Sequence, residues 1–246
     1  EWYEKGLGEA LGYLVGALVL GTAFPHLLKA GSYELPWKQV LYVTSAVAAT
    51  GGLLMLLLVP AGPFRKKGSV FHPRALVHIF RSQKFTAAAG GYFGHMWELY
   101  TFWAFVPVLL KVHQEQTASH YSIPFWSFVI IGIGALSCVA GGYISRTMGS
   151  AKVAFYALFI SAVCCLLHPV FLKSMSEDIF LFFMIVWGIS VIADSPQFSA
   201  LVAQTAPIEN RGTALTFVTC IGFAITIVSI QLLGLLFNRF HSQLTF

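Results

Sequence analysis

The chain has 246 residues, of which 57% are hydrophobic, 15% aromatic and 10% charged, with a formal net charge of +5. This hydrophobicity excludes a disordered chain, which needs low hydrophobicity and high net charge, and 25 charged side chains are too few to clothe a water-soluble domain of this size. The modest positive charge forms no stripe that would fit a nucleic acid, so a polytopic membrane protein is the class that remains.

A hydrocarbon core about 30 Å thick needs about 20 apolar residues at about 1.5 Å each. Seven segments satisfy that length, near 7–28, 39–60, 85–110, 121–145, 153–172, 179–206 and 213–238. They are too long for strands and lack strict alternation, so an all-α membrane protein is expected rather than a barrel. Cys138, Cys164, Cys165 and Cys220 lie inside these apolar runs without metal-type spacing, and read as small hydrophobes. No metal site and no cofactor motif is predicted.

In the first segment Gly12 and Gly16 form a small-xxx-small pair, which predicts close packing on a neighbouring helix. After the second segment, the stretch 61–84 holds six basic residues (Arg65, Lys66, Lys67, Arg74, Arg81 and Lys84) and no acid. It reads as a cytoplasmic linker, with contact to anionic lipid as a lesser reading. Alternation then gives ten basic residues to the cytoplasmic side and five to the outer side, with the N-terminus inside.

The third segment carries Glu98 as its fourteenth residue of 26. An ionisable side chain at that depth costs about 2.5–3.5 kcal/mol to insert and is a functional suspect. His95, three residues earlier, shares its helix face, and the pair is predicted to exchange a proton near neutral pH. Tyr92 continues the stripe, and Tyr92 and Trp97 are candidate substrate contacts, Trp97 as a cavity-lining residue. Gly90, Gly91, Gly94 and Pro107 predict a bent or discontinuous helix. His168, before Pro169 in the fifth segment, reads as a locally satisfied histidine at a kink. In the sixth segment Asp194 lies near mid-membrane beside Ser195 and Pro196, with Gln197 one turn on. Asp194 and Gln197 are candidate substrate contacts, and Asp194 or Ser195 is expected to stabilise a kink at Pro196.

The first and seventh segments open alike, Gly8-Glu9-Ala10-Leu11 and Gly212-Thr213-Ala214-Leu215, six segments apart. That offset suggests six-helix units repeated in parallel. With Gly142, Arg146 and Gly149 spaced as in a known cytoplasmic loop motif, and Ala206-Pro207 ahead of Arg211-Gly212, the chain resembles the major facilitator superfamily. The aspartate position of that loop motif holds Arg146 here. The resemblance implies that the chain holds helices five to eleven of a twelve-helix fold of two six-helix halves. On that register 1–60 ends the first half, 61–84 joins the halves, and 85–246 is the second half without its last helix. Gly94 to Leu99 and Ala193 to Gln197 also look like the nitrate- and cyanate-type permeases.

The resemblance further implies a transporter of a small solute in a bacterial inner membrane, not an enzyme. Its partners would be the solute, membrane lipid and the remaining helices of a longer parent chain. Proton coupling is expected at Glu98 and His95. A seven-helix receptor is the alternative, but the predicted inside N-terminus and the lack of a mid-helix lysine argue against it, and a non-transporting scaffold is the other reading.

Overall fold

A computed structural model describes residues 7–31, 35–62 and 79–244. Most of the basic linker, including Arg65, Lys66, Lys67 and Arg74, lies outside the described residues, as does Lys5. The described residues form nine α-helices: α1 (Leu7–Gly31), α2 (Trp37–Leu58), α3 (Gln83–Thr117), α4 (Ile123–Gly132), α5 (Gly134–Met148), α6 (Ser150–Ser174), α7 (Glu177–Ala193), α8 (Ser195–Thr205) and α9 (Arg211–Leu244). A short 3-10 turn, Ile208–Asn210, leads into α9.

Among the described residues six helical stretches are long and apolar enough to cross a membrane: Gly8–Gly31, Trp37–Leu58, Ile123–Met148, Ser150–Lys173, Glu177–Thr205 and Ile208–Arg239. They match six of the seven predicted segments. The remaining segment, 85–110, falls within α3, which is helical over 35 residues but more polar than the six. Of the bent or discontinuous alternatives expected for α3 the discontinuous one does not hold, since the helix is continuous through its glycines and Pro107. Two other segments are interrupted instead. The fourth divides at Ile133 into α4 and α5, and the sixth divides at Asp194 into α7 and α8.

Small residues set the closest helix contacts. A Cβ added to Gly12 would lie 2.8 Å from the Cys138 carbonyl oxygen, and one on Gly16 would lie 3.0 Å from that of Ala135. A Cβ on Gly142 would come as close to the Gly8 carbonyl, at 3.0 Å. As α1 ascends, its partners on α5 descend, so the two helices are antiparallel and pack through the predicted small-residue face. At one end of this interface Arg146 pairs with Glu9, and the Tyr13 and Tyr143 hydroxyls hydrogen-bond at 2.7 Å.

The interior holds two apolar clusters. One gathers Leu99, Phe102, Val106 and Leu110 of α3 with Phe180 to Ile192 of α7 and Ile130 and Ala135 of α4 and α5. The other gathers Phe85 to Met96 of α3 with Ala154, Phe198, Val202 and Val218. The clusters change over at matching heights on three elements: between Met96 and Leu99 on α3, between Ala154 and Cys164 on α6, and between Ile192 and Phe198 where α7 meets α8. Polar side chains occupy that changeover.

Candidate functional site

The changeover is a buried polar seam. His95 from α3 and Asp194 from the α7–α8 junction meet there, each 1% exposed. His95 Nδ1 lies 2.8 Å from Asp194 Oδ1, an ion-pair distance, although the two atoms are not aligned as a hydrogen bond. His95 Nε2, Asp194 Oδ2 and both amide atoms of Gln197 are buried with no hydrogen-bond partner among the described residues. Buried polar groups without partners are few in native proteins, and each calls for an explanation such as a functional role, a water or an ion.

The geometry corrects the expected pairing of His95 with Glu98. A shared face places the two one turn apart along α3, but His95 turns to Asp194 across the bundle. Glu98 instead accepts a hydrogen bond from the Ser161 hydroxyl on α6. Trp187 Nε1 on α7 donates to the same Ser161 oxygen at 3.1 Å. The chain Trp187–Ser161–Glu98 thus joins three helices at the height of the His95–Asp194 pair. Ser161 is a site residue that sequence reasoning misses. Its only signal is a hydroxyl in the middle of an apolar 25-residue helix.

Close packing holds this arrangement. Phe198 lies with its ring centroid 5.9 Å from that of His95, and a Cβ on Gly91 would overlap the Phe198 ring. Gly91 is therefore needed for space. Gly90 and Gly94 have nothing within 4 Å of a Cβ, so they make no such close approach. Gly141 on α5 admits the Ala193 carbonyl at 3.1 Å from its Cβ position, just before the junction. Asp194 caps α8 without a side-chain hydrogen bond. The junction is thus stabilised by backbone bonds from Gln197 and Phe198 to the Asp194 carbonyl, both 3.0 Å, rather than by the Asp194 or Ser195 side chain.

The remaining predicted residues separate. Tyr92 is buried, its ring against the Gly222 position on α9 and 6.4 Å from the His95 ring. Trp97 is 36% exposed and takes no part in the seam. Gly142 packs on α1, Arg146 pairs with Glu9 and stacks 5.1 Å over Tyr143, and Gly149 takes φ +83° where α5 turns into α6. His168 differs from the expected satisfied histidine, since its buried Nε2 has no partner among the described residues. Its ring lies 5.5 Å from Trp187.

Comparison with known families matches residues 1–230 to the Major Facilitator Superfamily. The chain belongs to that family. It is accordingly a multi-pass integral membrane protein of a family of membrane transporters. The match is to the superfamily as a whole and does not single out a nitrate- or cyanate-type branch. No curated protein and no solved structure matches the chain significantly.

Proposed function

We propose that this major facilitator chain serves secondary active transport of a small solute by alternating access, coupled to protons through the buried seam. The observation that carries this reading is the His95–Asp194 pair, 2.8 Å apart and 1% exposed, with unpartnered polar atoms around it. Five cavities of about 350 to 620 Å³ among the described residues are lined by other side chains. A solute needs volume, whereas a proton needs only an acceptor. His95, Asp194 and Glu98 therefore act as the proton-carrying groups, and the solute is met by Trp97 together with Gln197 and Tyr92 when the helices part. This moves Asp194 from the solute contacts to the proton site.

The rest of the reading follows the family plan. Residues 1–60 end the first half of a twelve-helix parent, 61–84 link the halves, and 85–246 form the second half without its last helix. The excess of basic residues supports an N-terminus and linker on the cytoplasmic face of a bacterial inner membrane. Rocking of the halves about a mid-membrane site supplies alternating access.

Reconstitution of the whole transporter in proteoliposomes tests this. Small anions, sugars and organic cations are offered with and without an imposed pH gradient. The gradient is expected to drive uptake of one class. Asp194→Asn and Glu98→Gln are each expected to slow gradient-driven uptake by about tenfold or more, while exchange of labelled for unlabelled solute continues. Gradient-driven uptake unchanged in both variants overturns the proton reading.

A further inference from the structure

A second buried histidine sits at the far end of α3, beyond the 85–110 span and at the end of the bundle opposite the Glu9–Arg146 pair. The ring of His113 is 0% exposed and stacks on Phe180 of α7, with centroids 4.0 Å apart and planes 6° from parallel. Its Nε2 lies 3.3 Å from the Met175 carbonyl, in the short connection between α6 and α7. A carbonyl only accepts, so Nε2 holds the ring proton and donates it. Nδ1 is left as the basic nitrogen, 3.2 Å from the hydroxyl of Tyr121 in the connection between α3 and α4. One imidazole therefore joins two connections to each other.

The α3–α4 connection folds back on α3 around this ring. The Tyr121 hydroxyl donates to the Leu110 carbonyl at 2.8 Å, and Gln114 Nε2 donates to the Tyr121 carbonyl at 2.6 Å. Ala118 leaves α3 with φ +51°, in the left-handed region that a residue with a Cβ disfavours. The turn is thus held by its contacts rather than by its own preference. His113 and Phe180 also belong to α3 and α7, the helices whose His95 and Asp194 meet in the seam, so the two contacts hold one helix pair at two heights.

A proton added at Nδ1 makes an imidazolium with no exposed surface. Burial pulls the His113 pKa below its ordinary value of about 6.5, against the opposing pull of the Met175 carbonyl and of Glu177 on α7. Tyr121 stays a neutral hydroxyl, its pKa pushed up by burial. The remaining charged and titratable groups of these elements turn to the surface: Lys111 and Glu115 of α3 pair with each other at 3.7 Å, and His120, Lys173 and Asp178 are exposed. A contact that lowers the pKa of its histidine is at full strength above the ordinary value and weakens as the pH falls below it.

We propose that His113 is the pin of an acid-released clasp between the α3–α4 and α6–α7 connections. At neutral pH the neutral ring holds both connections down. As the pH falls the imidazolium moves out to water, the turn at Ala118 relaxes, and the ends of α3 and α7 become free to part. The clasp does not rest on the transport reading, because its test reads the opening of the connection alone.

Hydrogen exchange of the whole protein in nanodiscs tests this, followed at about pH 7.5 and about pH 5.5 and corrected for the intrinsic pH dependence of exchange. Protection of the last turn of α3 and of the 118–122 connection is expected to fall at the lower pH by about threefold to tenfold, ten being the limit about one pH step below the ordinary imidazole value. His113→Phe keeps the stack on Phe180, and His113→Gln keeps a donor, but neither can titrate. Both are expected to lose the pH response, whatever their protection at neutral pH. His120→Gln, in the same connection, is expected to keep it. Protection that stays level or rises on acidification of the native protein overturns the proposal. So does a response that survives in either His113 variant or disappears in His120→Gln.

Discussion

Two membrane-long stretches are interrupted midway, and the two interruptions are built differently. At Ile133 the chain keeps helical torsions, φ −59° and ψ −27°, and the amide of Ile133 still reaches the Val129 carbonyl at 2.9 Å. Glycines flank it, and the space left at Gly134 is filled by Ile192. At Asp194 the torsions are also helical, φ −82° and ψ −16°, but the residue is an acid, Pro196 follows in the first turn of α8, and the partner is His95. The first interruption is a packing device that brings α5 against α7. The second places a buried carboxyl group at a joint. A helix break alone does not mark a site, since what fills the break decides whether it packs apolar side chains or holds a polar pair.

The largest way to sharpen this contrast is to remove the carboxyl group. Asp194→Ala leaves His95 buried without its partner and is expected to cost roughly 3–5 kcal/mol, read as loss of thermal stability in detergent. An unchanged melting temperature would show that the pair contributes nothing to the joint. The packing break answers to volume instead. A Cβ on Gly134 would overlap Ile192 Cδ1, so Gly134→Ala is expected to cost roughly 1–3 kcal/mol. Ile192→Val in the same chain is expected to restore part of that loss, and failure of the rescue would place the crowding elsewhere. The smallest effect is expected from the proline. In the first turn of α8 its missing amide costs no helix bond, so Pro196→Ala is expected to change stability by about 1 kcal/mol or less. A larger loss would make Pro196 part of the joint rather than its marker.

The positions of the spans and the polar residues in them are legible in the sequence, because runs of apolar residues and single charges within them are local signals. Partner choice is not. His95 and Glu98 share a face of α3, but which neighbour each meets depends on how α3 is rotated against α6, α7 and α8. That rotation is set by close contacts such as Gly91 on Phe198 and Gly222 on Tyr92, which no spacing rule encodes. Glycine number is also a poor guide to α3. Three glycines and a proline suggest a bent or discontinuous helix, but α3 runs unbroken over Gln83–Thr117. The glycine pair of α1 is a better guide, because close packing needs only the small side chain. Ser161 is hidden in the sequence because a serine in an apolar helix can satisfy itself on its own backbone, and only the proximity of Glu98 and Trp187 gives it a role.

The position of the seam has an electrical consequence. Asp194 is the eighteenth of 29 residues in the Glu177–Thr205 span, so its carboxylate stands near half-depth. One elementary charge crossing a whole membrane exchanges about 2.3 kcal/mol with each 100 mV of potential. A proton that reaches Asp194 from either face crosses about half of that drop, about 1.2 kcal/mol per 100 mV. Under the proposed proton coupling, loading of the seam from the outer face would respond to voltage as well as to pH, a negative interior acting as an acidified exterior would, while loading from the cytoplasm would be opposed by the same potential.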